Sequence, residues 1–267
     1  MAIGMAVAML MAGCQKEADS LITPTENPNG SICFSGGNLL KATGSEWELN
    51  DAIGITMASE ANTAYASNQH YTTTGSGTHV DFSPAAASNQ LFYPKDGSAV
   101  NFYAYYPYSS TFNGTISLLD QSGDSKKLDF MVASVLKKTE GAVSFGFRHR
   151  LAQVTFNLTA GGTDVANFEG EVSATLSGMS SKGEYSFAND SFGKLATDNI
   201  ALKISVNASD KTRATIQALV IPDEGATGAA GRKLTIAIGG ARYAFAIAES
   251  KAFKAGEHYT YNVTVGK

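Results

Sequence analysis

The chemistry this sequence specifies most directly sits at Cys14. Thirteen uncharged residues, MAIGMAVAMLMAG, lead up to it, and the small Ala12 and Gly13 stand directly before the thiol. Small residues let a peptidase reach the bond, and the thiol is the nucleophile that a diacylglycerol donor alkylates. A short apolar run ending in small residues is a secretory core and not a spanning helix. The arrangement looks like a lipobox, the processing signal of bacterial lipoproteins. Met11 stands where such signals usually carry Leu, and the positive leader is missing. Residues 1–13 therefore read as a signal peptide, Cys14 as the lipidation site, and residues 14–30 as a lipidated tether. That tether is polar and punctuated by Pro24, Pro28 and Gly30.

Elsewhere the reactive side chains do not converge. His70, His79, His149 and His258 show no HExxH and no paired ligand spacing. Asp120, Asp124 and Asp129 lack the fixed oxygen spacing of a calcium loop. There is no GxSxG elbow, phosphate-binding loop or strand-following GxGxxG. Cys33 has no neighbour that would depress its pKa. With Cys14 acylated it has no disulfide partner and reads as a small buried hydrophobe. The expectation is a protein without metal site, cofactor or catalytic centre. A hydrolase whose carboxylate pair meets only in the fold is the enzymatic alternative. Twenty Lys and Arg against 24 Asp and Glu give a formal net charge of −4, which excludes the basic footprint of a nucleic-acid binder. Arg148-His149-Arg150 is a candidate anion site, although such a triplet also caps strand ends. The aromatic run Phe102, Tyr103, Tyr105, Tyr106 and Tyr108 is a candidate sugar-stacking platform. Alternation, however, sends Phe102 and Tyr106 to a core and leaves Tyr103 and Tyr105 on the opposite face, toward a second domain.

The elements that would position these residues are strands. The hydrophobic period is two over Val100–Tyr106, Val143–Phe147 and Val154–Leu158. Further runs rich in β-branched and aromatic residues cover Ile53–Met57, Gln90–Tyr93, Lys127–Val132, Val172–Leu176, Glu184–Phe187 and Ile200–Val206. Thr212–Ile221, Lys233–Ile238, Arg242–Ile247 and Tyr259–Val265 complete the set. A first strand is expected around Ser31–Phe34, with Ile32 and Phe34 on one face. Gly239-Gly240 reads as a two-residue hairpin turn. Many short strands at this spacing specify sandwiches or barrels, and no stretch offers a long amphipathic helix. The only Trp and most Tyr fall before residue 152, while Ala, Val, Ile and Thr dominate beyond it. Two β-sandwich domains are expected, residues 31–152 and 153–267, meeting near His149-Arg150-Leu151-Ala152.

Four stretches carry a family resemblance. Trp47 with Asn50-Asp51-Ala52-Ile53-Gly54-Ile55 resembles the W-x-x-x-D-x-I-G-V element of the fimbrillin-like family. The run YPKDGSAVNFYAYYP from Tyr93 to Pro107 is similar to a second element. FRHRLA, Phe147 to Ala152, looks like the family's F-x-H-x-L-[SA] junction, and FKAGEHYTYNV, Phe253 to Val263, looks like its closing F-x-A-G-x-x-Y-x-Y-x-V. The resemblance implies two tandem transthyretin-like β-sandwich domains in a surface lipoprotein of Bacteroidales-type bacteria, many of which are type V pilus subunits. Gln15, Lys16, Glu17 and Asp19 resemble the export mark of such lipoproteins. In that family an Arg-specific protease removes the first strand of stalk and tip members, and a neighbour's strand fills the groove by β-augmentation. Here Leu39-Leu40-Lys41-Ala42-Thr43-Gly44 has Lys41 where the family often has Arg, and the five Arg lie at 148, 150, 213, 232 and 242. Lys41 is thus the candidate alternative maturation site. Lys267 follows the last strand directly, so a long C-terminal donor arm is not expected.

The expected function is a structural or adhesive component of a type V pilus at the outer-membrane surface. An anchor, accessory or tip position is favoured over the stalk. Its expected partners are other pilin subunits through strand donation, the outer membrane through the lipid, and a host or bacterial surface ligand. The alternative is a glycan-binding outer-membrane lipoprotein of a nutrient-uptake system, using Trp47, Tyr103 or Tyr105.

Overall fold

The computed structural model describes residues 30–38, 46–123, 125–223 and 231–266. The expected signal peptide, Cys14, nearly all of the tether, and Lys41 lie outside the described residues. The chain is all-β: among the described residues there is no α-helix, only two short 3-10 turns at Ala87–Asn89 and Ser125–Leu128. Nine strands come first: β1 (Phe34–Asn38), β2 (Ala52–Ser59), β3 (Ala64–Thr73), β4 (His79–Pro84), β5 (Val100–Tyr106), β6 (Thr115–Ser117), β7 (Asp120–Gln121), β8 (Met131–Lys138) and β9 (Val143–His149). Ten follow: β10 (Ala152–Ala160), β11 (Val172–Ser177), β12 (Lys182–Ser186), β13 (Ser191–Ala196), β14 (Ile200–Leu202), β15 (Ile204–Val206), β16 (Arg213–Val220), β17 (Lys233–Ile238), β18 (Ala241–Ala246) and β19 (His258–Val265).

Strands β1-β4-β3-β2-β5-β8-β9 close into a barrel. The expected sandwich faces are therefore joined here by hydrogen bonds into one continuous sheet. Ile53, Ile55, Phe82, Phe102, Phe145 and Phe147 fill its interior. In the second half, β15-β16-β10-β19 and β18-β17-β11-β14-β7 form two sheets. Val154, Phe156, Leu176, Ile216, Leu234 and Ile236 belong to the core there. A small sheet, β13-β12-β6, completes the set. β6 and β7 belong to the first half of the sequence but pair with β12 and β14 of the second.

Expectation and structure agree best where alternation is strong. β5 and β17 run over the expected residues, and Gly239 and Gly240 turn the β17–β18 hairpin with φ of 54° and 86°. Both positive angles suit a tight turn whose twist matches that of its strands. Ile200–Val206 is instead two strands, divided at Lys203, because the chain there passes from the β11 sheet to the β16 sheet. Gln90–Tyr93 supplies only a single bridge, Phe92 to Ser31. In Lys127–Val132 the 3-10 turn comes first and β8 starts at Met131. β3, AYASNQHYTT, had no apolar alternation to reveal it; its extended form comes from pairing with β2 and β4.

Candidate functional site

The feature with the clearest functional geometry is the slot occupied by β1. Its sequence, FSGGN, has almost no strand propensity. Tertiary pairing holds it: antiparallel to β4, with Phe34 opposite Phe82, and parallel to β9, with Phe34 opposite Val143. Upstream, the Ile32 amide donates to the Leu91 carbonyl at 3.0 Å, and the Val143 amide donates to the Cys33 carbonyl at 2.9 Å. Ile32 and Phe34 are buried, on the shared face that alternation assigns. The Phe34 ring meets Tyr71 edge-on at 5.1 Å, Phe102 edge-on at 5.5 Å, and Phe145 in a stack at 5.7 Å. Gly36 lets the backbone sink into the barrel. A Cβ there would lie 3.1 Å from the Phe145 carbonyl and from the rings of Phe82 and Phe147.

Two buried side chains of this kind contribute about 3–6 kcal/mol. Loss of β1 would open the β4 and β9 edges together with an apolar trough. Lys41 follows β1 by three residues, so a cut there would sever β1 from the remainder of the barrel. Cys33 is half-buried and disulfide-bonded, which corrects the expectation of a lone buried thiol.

A second polar cluster lies where the two halves meet. β9 ends at His149 and β10 begins at Ala152, so only Arg150 and Leu151 intervene. The Arg148-His149-Arg150 triplet is consumed internally. Arg148 and Arg150 both pair with Asp190, the former at 3.4 Å, and the Tyr185 hydroxyl donates to the same carboxylate. His149 Nδ1 lies 2.9 Å from Asp129 Oδ1. Beneath them Tyr105, Phe130, Val132 and Leu151 pack with Tyr185, Leu219 and Ile221 in one shared core. The buried Gln121 side chain donates to the Leu219 carbonyl at 2.7 Å and accepts from its amide at 2.8 Å, extending β7 onto β16. No local sequence signal marks the contacts that tie the halves, since Arg148 is 42 residues from Asp190 and Leu219 is 98 residues from Gln121.

The sugar-stacking residues are largely unavailable. Trp47 is 2% exposed and wedged edge-on against Phe82, Tyr106 and Phe147, so it is core and not a platform. Tyr105 is 3% exposed, faces the second half as alternation placed it, and has Asn68 Oδ1 at 2.7 Å and the Ser109 carbonyl at 2.9 Å as acceptors for its one hydroxyl proton. Burial pushes its pKa up to about 12. It also explains the Ile53-Gly54-Ile55 element: a Cβ on Gly54 would sit 2.2 Å from the Tyr105 ring. Tyr103 is half-buried, leans on Phe187 and donates to Asn62 at 2.6 Å. Among the described residues no group of three or more His, Cys, Asp or Glu could hold a metal ion.

Comparison with known proteins places this geometry in context. A family model described as fimbrillin-like matches residues 41–267. A candidate fimbrium subunit of Bacteroides uniformis, Fim1C, is 29% identical over 273 residues, covering 97% of this chain and 88% of that protein. The crystal structure of a candidate cell adhesion protein from Bacteroides uniformis superposes with a TM-score of 0.67 at 27% identity, covering 90% of this chain and 94% of that one. A candidate cell adhesion protein from Bacteroides ovatus shares the fold, with a TM-score of 0.61 at 18% identity over 88% of this chain and 91% of that one.

Proposed function

Because the chain belongs to the fimbrillin-like family, whose role is structural and adhesive and not enzymatic, we propose that it is a lipid-anchored component of a type V pilus that keeps its first strand. In this reading residues 1–13 are a signal peptide, Cys14 carries the lipid at the outer membrane, and an anchor, accessory or tip position is favoured over the stalk. Residues 31–152 and 153–267 are the two bodies, of transthyretin-like type, tied together by β6, β7 and the shared core. Other pilin subunits and a surface ligand are its partners.

The observation that carries the proposal is the setting of β1. The strand is hydrogen-bonded on both edges and buries Phe34 among three rings, and no Arg lies between Ser31 and Phe147. An Arg-specific protease has no bond to cut near β1. Retention leaves the barrel closed, so a neighbour's strand would have to enter this subunit elsewhere.

Mass spectrometry of the mature surface protein tests the reading. The expected N-terminus is a triacylated Cys14, since several acyl chains give the stable anchoring that one does not. A mature form beginning at Ala42 would show that a Lys-specific cut removes β1, and would restore the polymerising-subunit role. A diacylglyceryl thioether uses the Cys14 sulfur, so lipidation and a disulfide at that atom exclude each other. Thiol alkylation before and after reduction separates the two, and a Cys14 recovered only as a disulfide would sink the anchor.

A further inference from the structure

The second half has a sheet edge with which no other strand pairs among the described residues. β19 pairs with β10 alone, and β18 pairs with β17 alone. In the β10–β19 ladder the Gln153 amide donates to the Glu257 carbonyl, and the Gly161 amide to the Val265 carbonyl. In a parallel ladder bonding alternates residue by residue. The odd-numbered residues of β19 therefore bond to β10, and the backbone groups of His258, Thr260, Asn262 and Thr264 point to the open side. The inward side chains at this edge are incompletely covered. Tyr259, Tyr261, Tyr243 and Phe245 all face the core yet remain half-buried. Tyr261 stacks on Phe156 at 5.4 Å and meets Phe245 edge-on at 5.8 Å, so β18 and β19 flank the same rim. A cleft of about 420 Å³ opens there, lined by Ala248, Lys251, His258, Tyr259, Thr260 and Tyr261.

The charge of this region is opposite to that of the chain. Residues 231–267 carry six Lys and Arg against two Glu, within a protein of net charge −4. Lys251 is exposed at the cleft, its ammonium 4.7 Å from the Tyr259 ring centroid.

We propose that the free edge of β19 is a docking site for an extended segment of a partner protein, with alternating apolar side chains and acidic flanks. The segment's backbone would pair with Thr260 and its neighbours. Its apolar side chains would cover Tyr259 and Tyr261, and its carboxylates would meet Lys251 and His258. Main-chain pairing supplies affinity in this mode, and alternate side chains supply specificity. The site is separate from the β1 slot, so it operates with β1 in place.

The test uses the full, uncut chain and a fluorescent peptide of about eight residues, alternating Val and Thr with an Asp pair at each end. Anisotropy should report saturable binding that weakens with salt. A peptide of the same composition with its Val residues grouped together should bind at least about tenfold more weakly. Thr260→Pro removes an edge N–H and no bond to β10, a position where an edge strand tolerates proline. It should weaken binding about tenfold or more with an unchanged melt. Lys251→Glu, on an exposed loop, should weaken the acidic peptide several-fold and spare one with Asn flanks. Equal binding of the alternating and grouped peptides would overturn the proposal. So would sialyllactose binding at Lys251 with no peptide binding, or self-association of the chain that Thr260→Pro abolishes, which would assign the edge to a second copy. None of these outcomes bears on the mature N-terminus, so failure here leaves the anchor reading standing.

Discussion

The two halves solve the same problem to different degrees of completion. In each, the first strand pairs parallel with the last: β1 with β9, and β10 with β19. In each, that first strand also pairs antiparallel with an inner strand, β4 or β16. The difference lies at the last hairpin. β8 turns back and bonds to β9 at Met131 and Val132, which closes the barrel. β18 and β19 do not bond, and the sandwich stays open. Closure removes the exposed edges that invite strand addition. The N-terminal barrel therefore accepts a strand only by losing one, whereas the C-terminal sandwich has an edge left unpaired among the described residues with β1 in place.

The largest expected effect tests the value of closure. Phe34→Ala removes a ring packed against three others, at a cost of about 3–5 kcal/mol. Tyr261→Ala, at the half-open rim, should cost about 1–2 kcal/mol, because its ring already touches solvent. Urea titrations of both variants measure the contrast. Equal losses would mean that the open rim is as well packed as the barrel, and the comparison would fail.

The junction comes next. Asp190 holds Arg148, Arg150 and Tyr185, and the Arg150 side chain is 13% exposed. Asp190→Ala leaves that guanidinium without its carboxylate, and should cost about 1–3 kcal/mol. It should also separate one calorimetric transition into two, since the shared core is then less well tied. A single, merely shifted transition would show that Gln121 and the apolar core hold the halves together without the ion pairs.

Alkaline pH should act on the barrel first. Burial pushes Tyr71 and Tyr93 up to about 12, as it does Tyr105. Their unfolded value is near 10, so between the two values the folded state holds protons that the unfolded state has released. Stability is full below about pH 10 and falls as pH rises toward 12. In the sandwich, burial also raises Tyr243 and Tyr261, without the large displacement of the barrel tyrosines. Tyrosinate absorbance should therefore show a late-titrating group that appears together with loss of barrel structure. If these tyrosines ionise near pH 10 with the fold intact, the barrel interior is wetter than its packing indicates.

How much of this was legible in the sequence depends on where the information resides. The strong alternation of β5, β9 and β10 is local, and it marked their faces correctly. So was the Gly239-Gly240 turn. Ile32 and Phe34 alternate where β1 begins, but the rest of β1 and all of β3 carry no such pattern, because their extended form is imposed by neighbours on both sides. Trp47 and Tyr105 kept a platform reading beside the favoured structural one, since residue type fixes stacking ability but not exposure. Asp190 and Gln121 act on partners distant in sequence, and neither announces itself. The open β19 edge is invisible for a related reason: a strand's own residues do not reveal how many neighbours it has.

The smallest effect concerns the hairpin that leaves the sandwich open. Gly240 sits at φ 86° with open space around it. An added methyl group would strike nothing, so Gly240→Ala pays only for its left-handed backbone, about 1 kcal/mol. In a closed barrel such strain would spread through strands bonded on both sides. β18 is bonded on one side only, so the strain can be relieved by fraying the edge from Ala241 toward Ala246. The expected result is a melting midpoint lowered by a few degrees at most. Amide exchange in β18 should rise by at least several-fold, while β11 and β14 keep their protection. Uniformly faster exchange across the sandwich would mean that β18 is as integral as the barrel strands, and that the difference between the halves is topological without being energetic.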